Sequence, residues 1–334
     1  MTAVLFTCAG QRVDIVSAFS RAGATTVATD LDPLAPALWH ADHHALAPRI
    51  GDDAYVPFLR ELVAEHDVKL LVPLTDLDHV KLVRARDDLG ALVLLPDEEV
   101  VRRVGDKYAA HRFFEERGIP SPPSWLPHEV PADARYPLLV KVREGFGSRH
   151  IYRAKDRAEL DFFLGYSGVD SFVQAACRGE EFSIDVFCDL EARCLNAIPR
   201  TMIQSKGGES IKGMTIHDRE LIDFGAEVAE ALGLVGPGTI QCFREEDGRH
   251  EVTDVNPRFG GAFPLPLAAG SRYPELALAL ANGERPEPRL GEFRAGVLMT
   301  RFFSHLCLTA GAGDSLVPFA EELPEPVAGE PGEA

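Results

Sequence analysis

The stretch from Gly238 to Arg258 contains the side chains best suited to bind a metal ion. Two strand-like runs flank Asp247-Gly248, a strong signal for a two-residue hairpin, because a type I′ turn needs positive φ at both central positions. Such a turn pairs residues across the two strands as follows: Glu246 with Arg249, Phe243 with Val252, and Gln241 with Asp254. We therefore predict that Gln241 and Asp254 meet on neighbouring strands.

Three oxygen-bearing side chains share one face of this predicted hairpin. Strand side chains alternate between faces, so Asn256 projects on the same side as Asp254. Gln241, Asp254 and Asn256 offer the hard oxygen ligands that Mg²⁺ prefers, and Arg258 follows directly. The alternative is a solvated hairpin face that ends in an Asn-Pro turn. The residues alone leave both interpretations open.

The overall composition argues against several classes of function. The 334 residues predict two or three domains, and a hydrophobic content of 46% is ordinary for a chain that buries a core. The net charge of -18 and the pI near 5.0 argue against binding to nucleic acid or to an anionic membrane. Every apolar run falls short of the roughly 18 residues that are needed to cross a bilayer.

Cysteine usage and the first residues bear on the compartment. The six cysteines form no Cys-x-x-Cys pair and no zinc spacing, and several lie in strand-like runs. We expect reduced, buried thiols in a cytoplasmic protein. The first residues read as a short strand and not as a signal peptide.

The first hundred residues predict an α/β domain. Ala3–Thr7 reads as a buried strand, followed by a helix and a second strand that ends at Asp30, so we expect a parallel sheet of about four strands. The three-glycine dinucleotide fingerprint is missing, which makes NAD binding a weak alternative. Asp30 could contact a ribose hydroxyl, cap a helix or form a turn. His40, His43 and His44 read as polar loop surface and not as metal ligands.

Several later segments are further candidates for binding. Thr75 and Asp76 follow a predicted strand, where open parallel sheets place ligands, although either could cap the next helix. Residues 144–148 form a glycine-containing turn whose N–H groups could close over a phosphate or simply turn the chain. Residues 201–216 read as a long polar loop, either functional or disordered. Phe293–Phe303 reads as a last strand.

An ordered series of short motifs resembles the ATP-grasp superfamily, most closely the single-chain carboxylate–amine ligases that are similar to carbamoyl phosphate synthase. The resemblance covers roughly residues 3 to 305. In chain order the motifs are Asp106-Lys107 before a helix that ends at Gly118-Ile-Pro-Ser-Pro, Pro137-Leu-Leu-Val-Lys141, Gly145-Phe-Gly-Ser148, Gln174 with Glu181, Gln241, and Asp254-Val-Asn-Pro-Arg258. Each motif is weak alone, and their order and spacing carry the resemblance.

The resemblance implies both a fold and an ATP site. It implies an N-terminal Rossmann-like domain followed by two α+β lobes that clamp ATP, so the expected fold class is α/β and α+β. Lys107 and Lys141 would reach the phosphates as flexible point charges. The other implied ATP contacts lie in three places: a lid with Gly145, Gly147 and Ser148, a hinge with Gln174 and Ala176, and Glu181 at the ribose.

The resemblance also assigns metal and substrate contacts. Gln241, Asp254 and Asn256 would position Mg²⁺, or Mn²⁺ in its place, to neutralise charge on the γ-phosphate. Arg258 would hold the substrate carboxylate or the phosphoryl oxygens with its planar fork. Arg200 is a further candidate for binding the acid substrate, and the alternative for Arg200 is a surface ion pair.

The implied reaction is ATP-dependent ligation of a carboxylate to an amine through an acyl phosphate, with release of ADP and phosphate. Its partners would be two small molecules, and a homodimer is an open alternative to a monomer. The predicted domains are the N-terminal domain at 1–105, a small lobe at 106–175, a large lobe at 176–309 and a disordered acidic tail at 310–334.

Three positions depart from the usual pattern of the superfamily. Asp254 stands where glutamate is usual, Gln174 stands where an acidic residue is commoner, and Lys141-Val replaces a frequent Lys-Pro. The departures at Asp254 and Gln174 lead to an alternative hypothesis, a catalytically weakened ATP-binding or scaffold protein of the same fold.

Overall fold

A computed structural model describes residues 1–145, 150–206, 209–311 and 316–318. The chain divides into two units, Met1–Arg301 and Phe302–Ala334. None of the helices in the described part of the chain is both long and apolar enough to span a bilayer.

The N-terminal domain is built on a parallel sheet. Its strands are β1 (Ala3–Thr7), β2 (Thr25–Asp30), β3 (His43–Leu46), β4 (Val68–Pro73) and β5 (Leu92–Val93), in the order β3-β2-β1-β4-β5. Its helices are α1 (Val13–Arg21), α2 (Tyr55–Glu65) and α3 (His79–Arg84), with short 3-10 helices at Pro36–His40 and Arg86–Asp88. The predicted parallel α/β domain is confirmed.

The sheet has five strands, one more than the roughly four that the sequence predicts, because the segment of β3 reads as a polar loop. Strand β3 pairs in parallel with β2, from Val27–His43 to Asp30–Leu46, and forms the edge of the sheet. Its polar, exposed His43 and His44 hide the usual apolar strand signal, as is common on an edge strand. The His43 ring stacks on His66 at 4.6 Å between centroids.

One short helix leads out of this sheet to a second group of elements, the small lobe, which runs from Lys107 to Ala175. Helix α4 (Glu98–Gly105) ends directly before Asp106, the N-cap of α5 (Lys107–Arg117). The lobe contains the strands β6 (Ser124–Trp125), β7 (Leu138–Val142), β8 (Tyr152–Ala154) and β9 (Ser171–Ala175), in the antiparallel order β6-β9-β7-β8, with helix α6 (Arg157–Ser167) and a 3-10 turn at Pro127–Glu129.

The elements from Glu180 to Thr300 form a third group, the large lobe, which contains two antiparallel sheets. The first, ordered β11-β10-β14-β15, consists of β10 (Glu180–Cys188), β11 (Cys194–Thr201), β14 (Gly236–Arg244) and β15 (His250–Asn256). The second, ordered β12-β13-β16, consists of β12 (Gln204–Lys206), β13 (Glu209–Met214) and β16 (Leu298–Thr300). The helices are α7 (Arg219–Leu232), α8 (Pro264–Ala268) and α9 (Tyr273–Ala281).

The second sheet of the large lobe corrects two predictions. Much of the predicted loop 201–216 is the pair of strands β12 and β13, because backbone pairing with β16 organises this polar segment. The predicted strand Phe293–Phe303 is shorter, and only Leu298–Thr300 pairs with β13. Gly213 permits this arrangement, since a Cβ there would lie 2.7 Å from the carbonyl oxygen of Thr201.

The unit Phe302–Ala334 contains a short antiparallel pair. Strand β17 (Leu308–Ala310) pairs with β18 (Leu316–Pro318), with Thr309 opposite Val317. The prediction of a disordered tail over 310–334 is therefore wrong for 316–318, and residues 319–334 lie outside the described part of the chain.

The N-terminal domain and the large lobe share one apolar core. Phe6 and Phe19 contact each other edge to face at 5.2 Å between ring centroids, and Phe19 contacts Phe259 of the large lobe at 6.0 Å. Phe259 in turn packs on Phe263 at 4.6 Å. The small lobe has a separate core around Leu138, Val140 and Val173. The aromatic chain ties the sheet of the N-terminal domain to the loop that follows β15.

Candidate active site

A cavity of about 850 Å³ opens between the N-terminal domain, the small lobe and the large lobe. Its volume lies in the range of small-molecule sites. All the predicted site residues that the structure describes line it: Lys107, Lys141, Gly145, Gln174, Ala176, Glu181, Arg200, Gln241, Asp254, Asn256 and Arg258. Gly147 and Ser148 of the predicted lid lie outside the described residues.

The turn of the β14–β15 hairpin differs from the predicted two-residue turn. The Gly248 N–H donates to the Glu245 carbonyl, and the Glu245 N–H donates to the Arg249 carbonyl, both at 2.9 Å. Gly248 has a φ of 86°, the left-handed conformation that ends a three-residue hairpin loop. The pairs predicted between Glu246 and Arg249 and between Phe243 and Val252 are therefore wrong, and Phe243 pairs with Glu251.

A bulge further along the hairpin restores the predicted register. Cys242 pairs with Val252, whereas its neighbour Gln241 pairs with Asp254, so Thr253 is an extra residue on β15. The longer turn and the bulge each shift the register by one residue, and the two shifts cancel. The predicted meeting of Gln241 and Asp254 is confirmed.

Asp254 forms an ion pair with a lysine from the small lobe. The Lys107 Nζ lies 2.5 Å from the Asp254 Oδ1. Burial acts to raise the pKa of Asp254, but the charges of Lys107 and Lys141 and the hydrogen bond from Lys107 together hold that pKa below its ordinary value. The carboxylate is therefore ionised and suited to bind a cation.

Lys107 enters the cavity because of the way α5 begins. The Asp106 carboxylate accepts hydrogen bonds from the Tyr108 and Ala109 N–H groups, as an N-cap should. The Lys107 N–H donates to the Arg143 carbonyl at 2.9 Å, just after β7. The start of α5 is thus fixed beside the strand that carries Lys141, and both lysines face one cavity.

Lys141 starts a buried chain of hydrogen bonds that the sequence does not reveal. Its Nζ donates to the Gln174 Oε1 at 3.0 Å, and the Gln174 Nε2 lies 2.6 Å from the His111 Nε2 and 3.1 Å from the Ser124 Oγ. Burial, with the charge of Lys141, lowers the pKa of His111 to about 3. His111 is therefore neutral, and its Nε2 can accept the amide N–H of Gln174.

The position of Gln174 explains one departure from the usual pattern. Its amide accepts from Lys141 and donates to two further groups, which a carboxylate could not do. Burial lowers the pKa of Lys141, and the charge of Asp254 opposes that effect. The neutral amide therefore supports Lys141 without neutralising its charge.

Arg200 is buried in the cavity wall and not part of a surface ion pair. Only 3% of the residue is exposed, and its Nε donates to the Asp185 Oδ2 at 2.8 Å. Thr239 donates its hydroxyl to the other oxygen of Asp185 at 2.7 Å. The sequence does not point to Asp185 or Thr239, although Asp185 lies between the buried apolar residues Ile184 and Val186.

Arg258 pairs with an acid from the N-terminal domain. Its Nε donates to the Asp76 Oδ2 at 2.9 Å, and its Nη2 donates to the Asn256 Oδ1 at 3.3 Å. Of the two roles predicted for Asp76, a position in a binding site and the N-cap of the next helix, the structure supports the first, because Asp76 lines the cavity. The N-cap of α3 is Asp78. Asp30 forms a turn, since its Oδ1 accepts from the Asp32 N–H at 2.9 Å.

The nucleotide end predicted from the resemblance lies at the start of the large lobe. Ala176, Cys177 and Glu181 line the cavity there. The Ala176 N–H already donates to the Pro137 carbonyl at 3.2 Å, and burial raises the pKa of Glu181.

The cysteines are less uniformly buried than the sequence predicts. Cys177 is half-buried. All six cysteines are free, and Cys307 is exposed.

Comparisons with known proteins support the same fold. A family model described as "PylC-like, N-terminal domain" matches residues 4–92, and one described as "ATP-grasp in the biosynthetic pathway with Ter operon" matches residues 169–302. The carbamoyl phosphate synthase large chain of Deinococcus radiodurans is 24% identical over 270 residues, which cover 68% of this chain and 25% of that relative. The chain thus spans about a quarter of that relative's length.

Two solved structures extend the likeness over most of the chain. The biotin carboxylase domain of the 2-oxoglutarate carboxylase of Hydrogenobacter thermophilus, solved with MgADP, ADP and bicarbonate, has a TM-score of 0.73 at 18% identity and covers 89% of this chain and 73% of that one. The L-amino acid ligase of Bacillus licheniformis has a TM-score of 0.67 at 18% identity and covers 88% of this chain and 78% of that one.

A parallel N-terminal sheet, an antiparallel small lobe and a large lobe around one cationic cavity define a protein of the ATP-grasp fold. The two family models match in chain order, and the second, over residues 169–302, is described as ATP-grasp, so both matches support the resemblance that the sequence predicts.

Proposed function

We propose that this protein is an ATP-dependent carboxylate–amine ligase. The observation that carries the proposal is the convergence of Lys107, Lys141 and the Gln241–Asp254 pair on one cavity. Two lysine side chains and an ionised carboxylate that line the same cavity suit the binding of a nucleoside triphosphate together with a divalent ion. The resemblance to ATP-grasp ligases assigns the same residues to that task.

The charge of the cavity favours a polyanionic substrate. Among the described residues, the lining holds seven arginines and lysines against four carboxylates, although the whole chain carries a net charge of -18. The seven cations are Arg12, Lys107, Lys141, Arg153, Arg200, Arg258 and Arg301, and the carboxylates are Asp14, Asp76, Glu181 and Asp254. A concave site of one sign concentrates ligands of the opposite sign.

The oxygen ligands fit a magnesium ion. Gln241, Asp254 and Asn256 would hold Mg²⁺, or Mn²⁺ in its place, because an ionised carboxylate and two amide oxygens form a hard donor set. With a single carboxylate in the set, water and phosphate oxygens would complete the coordination. When bound, the ion supplies neutralising charge at the transferred phosphoryl group.

The proposed chemistry needs orientation more than a protein nucleophile. A substrate carboxylate oxygen attacks the γ-phosphorus, and the bond to the ADP oxygen breaks. The substrate amine then attacks the acyl carbon, phosphate leaves with the C–O electron pair, and the amine gives up a proton. Lys107 and Lys141 hold phosphates, while Arg200 and Arg258 orient oxyanions for both steps.

Other features of the proposal rest on the sequence and its relatives. We infer a cytoplasmic enzyme whose two substrates are small molecules, with a homodimer as one assembly to test. The lid at 145–148 would exclude water from the acyl phosphate. The domain boundaries 1–105, 106–175 and 176–309 stay part of the proposal.

One observation favours a second candidate, a catalytically weakened ATP-binding protein. Asp254 is the short acid of the predicted metal set, and its Oδ1 is engaged by Lys107. Tight ATP binding without ADP formation across a broad substrate panel would support this second candidate over the ligase.

The test of the ligase is ADP release with ATP, Mg²⁺ and a panel of amino acids and small acids. We expect turnover with one acid–amine pair and its loss in Lys141→Ala. Lys155→Ala is the matched control, since Lys155 is exposed and pairs only with Glu159 among the described residues. Unchanged turnover in Lys141→Ala would overturn the assignment.

A further inference from the structure

Arg200 is held in the cavity wall with part of its guanidinium unused. Its Nε donates to Asp185, but its buried Nη1 has no hydrogen-bond partner among the described residues. A buried donor without a partner costs free energy, so its presence calls for a physical explanation, and a bound ligand is one. Because Arg200 lines the cavity, an anionic oxygen bound there could supply the acceptor.

Asp185 is itself fixed from the side away from Arg200. Only 3% of Asp185 is exposed, and its Oδ1 accepts the Thr239 hydroxyl at 2.7 Å. Asp185 and Thr239 are paired residues of β10 and β14. The Asp185 carbonyl also accepts the Tyr273 hydroxyl at 2.8 Å. Both carboxylate oxygens are thus used, one toward Arg200 and one toward Thr239.

The backbone around Gly260 is fitted to this pair. A Cβ on Gly260 would lie 2.4 Å from the Thr239 Oγ1 and 3.1 Å from the Asp185 Oδ1, so a side chain there would displace them. The Gly260 carbonyl accepts the Arg12 Nη2 at 2.9 Å, which anchors the loop from the N-terminal domain. The close approach leaves Asp185 and Thr239 little freedom to rotate.

We propose that Asp185, supported by Thr239, is a positioning residue that orients Arg200 to bind an oxyanion in the cavity. The inference rests on the proposed ligase function and deepens it, because it assigns the orientation of one substrate-binding arginine to a buried pair. The ligand chemistry is an anionic oxygen on either a carboxylate or a phosphoryl group.

The physical reason is the geometry of a guanidinium. Arginine presents its donors in a rigid plane, so a carboxylate that fixes Nε also fixes the direction of Nη1. Without that carboxylate, the side chain is free to turn and must desolvate its charge unaided. The loss should appear as weaker binding of the anion, with little effect on the nucleotide.

Calorimetry on the full chain saturated with MgADP tests the inference, with inorganic phosphate in one arm and acetate in the other. We expect Asp185→Asn to weaken binding of one of these anions about tenfold or more and Thr239→Val to weaken it about threefold, within the range for a charged and a neutral hydrogen bond. The affinity for MgADP should not change. The arm that is weakened identifies the source of the oxyanion.

Three further variants make the result of the experiment unambiguous. Asp223→Asn is the matched control, because Asp223 is exposed and pairs with Arg219 on α7. Arg200→Lys should lose affinity for the same anion. Adding Asp185→Asn to Arg200→Lys should weaken anion binding little further, because the residue that Asp185 orients is already replaced. If Asp185→Asn does not fold, Thr239→Val alone decides.

Three outcomes would overturn the inference: neither anion binds to the natural protein, Thr239→Val and Asp185→Asn bind it normally, or MgADP binding falls as much as anion binding. Failure of the ligase proposal is distinguishable, since it would appear as normal anion and MgADP binding without ADP release.

Discussion

Asp254 carries the only negative charge among the three predicted metal ligands. Replacing it by asparagine would leave three neutral amides and deprive Lys107 of its partner. We predict that Asp254→Asn lowers ADP release about 100-fold, equivalent to about 2.7 kcal/mol of transition-state stabilisation. The measurement is steady-state ADP release across a range of Mg²⁺ concentrations, where extra Mg²⁺ should recover part of the loss.

Asp254→Glu is the matched control, because it keeps the charge and restores the acid that this superfamily usually has. It should retain most of the turnover. Lys107→Met separates the contribution of the lost ion pair from that of the metal. The same Mg²⁺ dependence in Asp254→Asn and the natural protein would remove Asp254 from the metal site.

His111 makes the stability of the protein depend on pH. Burial lowers its pKa from 6.5 to about 3, so between these values the unfolded chain binds a proton that the folded chain does not. The unfolding free energy therefore falls as the pH is lowered through this window. We predict that His111→Gln reduces that slope, as measured by urea unfolding at several pH values from 7 to about 4.

His128→Gln should leave the slope unchanged, because His128 is exposed on a short 3-10 helix. Carboxylates also titrate in this window, so the difference between each variant and the natural protein is the quantity to compare. Identical slopes for the natural protein and His111→Gln would mean that His111 is protonated in the folded state.

At the level of residues, the sequence predicts the groups that face the ligand better than the groups behind them. Lys107, Lys141 and Arg258 can be assigned because each belongs to a local motif. His111 and Asp185 lie 63 and 15 residues from the partners that they contact, Gln174 and Arg200. Only the packed fold brings such pairs together, and their neighbours in sequence show no sign of the contact.

At the scale of elements, the hairpin β14–β15 shows how a correct pair can follow from an incorrect turn. The signal Asp247-Gly248 locates the turn but does not distinguish a two-residue loop from a three-residue loop that ends in a left-handed glycine. The bulge at Thr253 has no sequence signal of its own. Alternation of side chains nevertheless holds near Asp254 and Asn256, so the face that they share is predictable.

The turn itself can be tested through Gly248. Its φ of 86° is strained for a residue with a Cβ, although the space around it is open. We predict that Gly248→Ala lowers the unfolding free energy by about 1 kcal/mol, and that Gly248→Asn costs less, because asparagine tolerates the left-handed region. Urea unfolding measures both.

Gly51→Ala is the control for Gly248→Ala. Gly51 also has open space around it but no positive φ, so its substitution should be neutral or slightly stabilising. Equal effects at the two glycines would contradict the strain argument. Turnover should survive in Gly248→Ala, since the turn lies at the far end of the hairpin from Asp254.

Edge and polar strands are where the sequence predicts elements least well. Strand β3 carries His43 and His44 on an exposed edge, and β12 and β13 lie in a glycine-containing polar segment. Their backbones are held by neighbouring strands and not by alternating apolar side chains. Buried strands such as β1 and β4 are predictable because a buried strand requires a short run of apolar residues, which is visible in the sequence.

At the scale of the whole molecule, the loop that follows β15 lines the cavity and is also part of the core. Arg258 faces the cavity, while the next residue, Phe259, packs on Phe19 of the N-terminal domain. Arg12 donates to the carbonyls of both Phe259 and Gly260, so polar and apolar contacts reinforce each other. The loop that carries Arg258 is thereby coupled mechanically to the N-terminal domain.

This coupling predicts that a core change in the large lobe destabilises the N-terminal domain. Phe259 is 1% exposed, so Phe259→Ala should lower the unfolding free energy by about 3–5 kcal/mol. Because the shared core spans both parts, amide hydrogen exchange should accelerate in β1 and β2 as well as in β10 and β11. Phe162→Ala, at a ring that is 62% exposed on α6, should change neither stability nor exchange in those strands. Faster exchange in the large lobe alone would show that the two parts unfold independently.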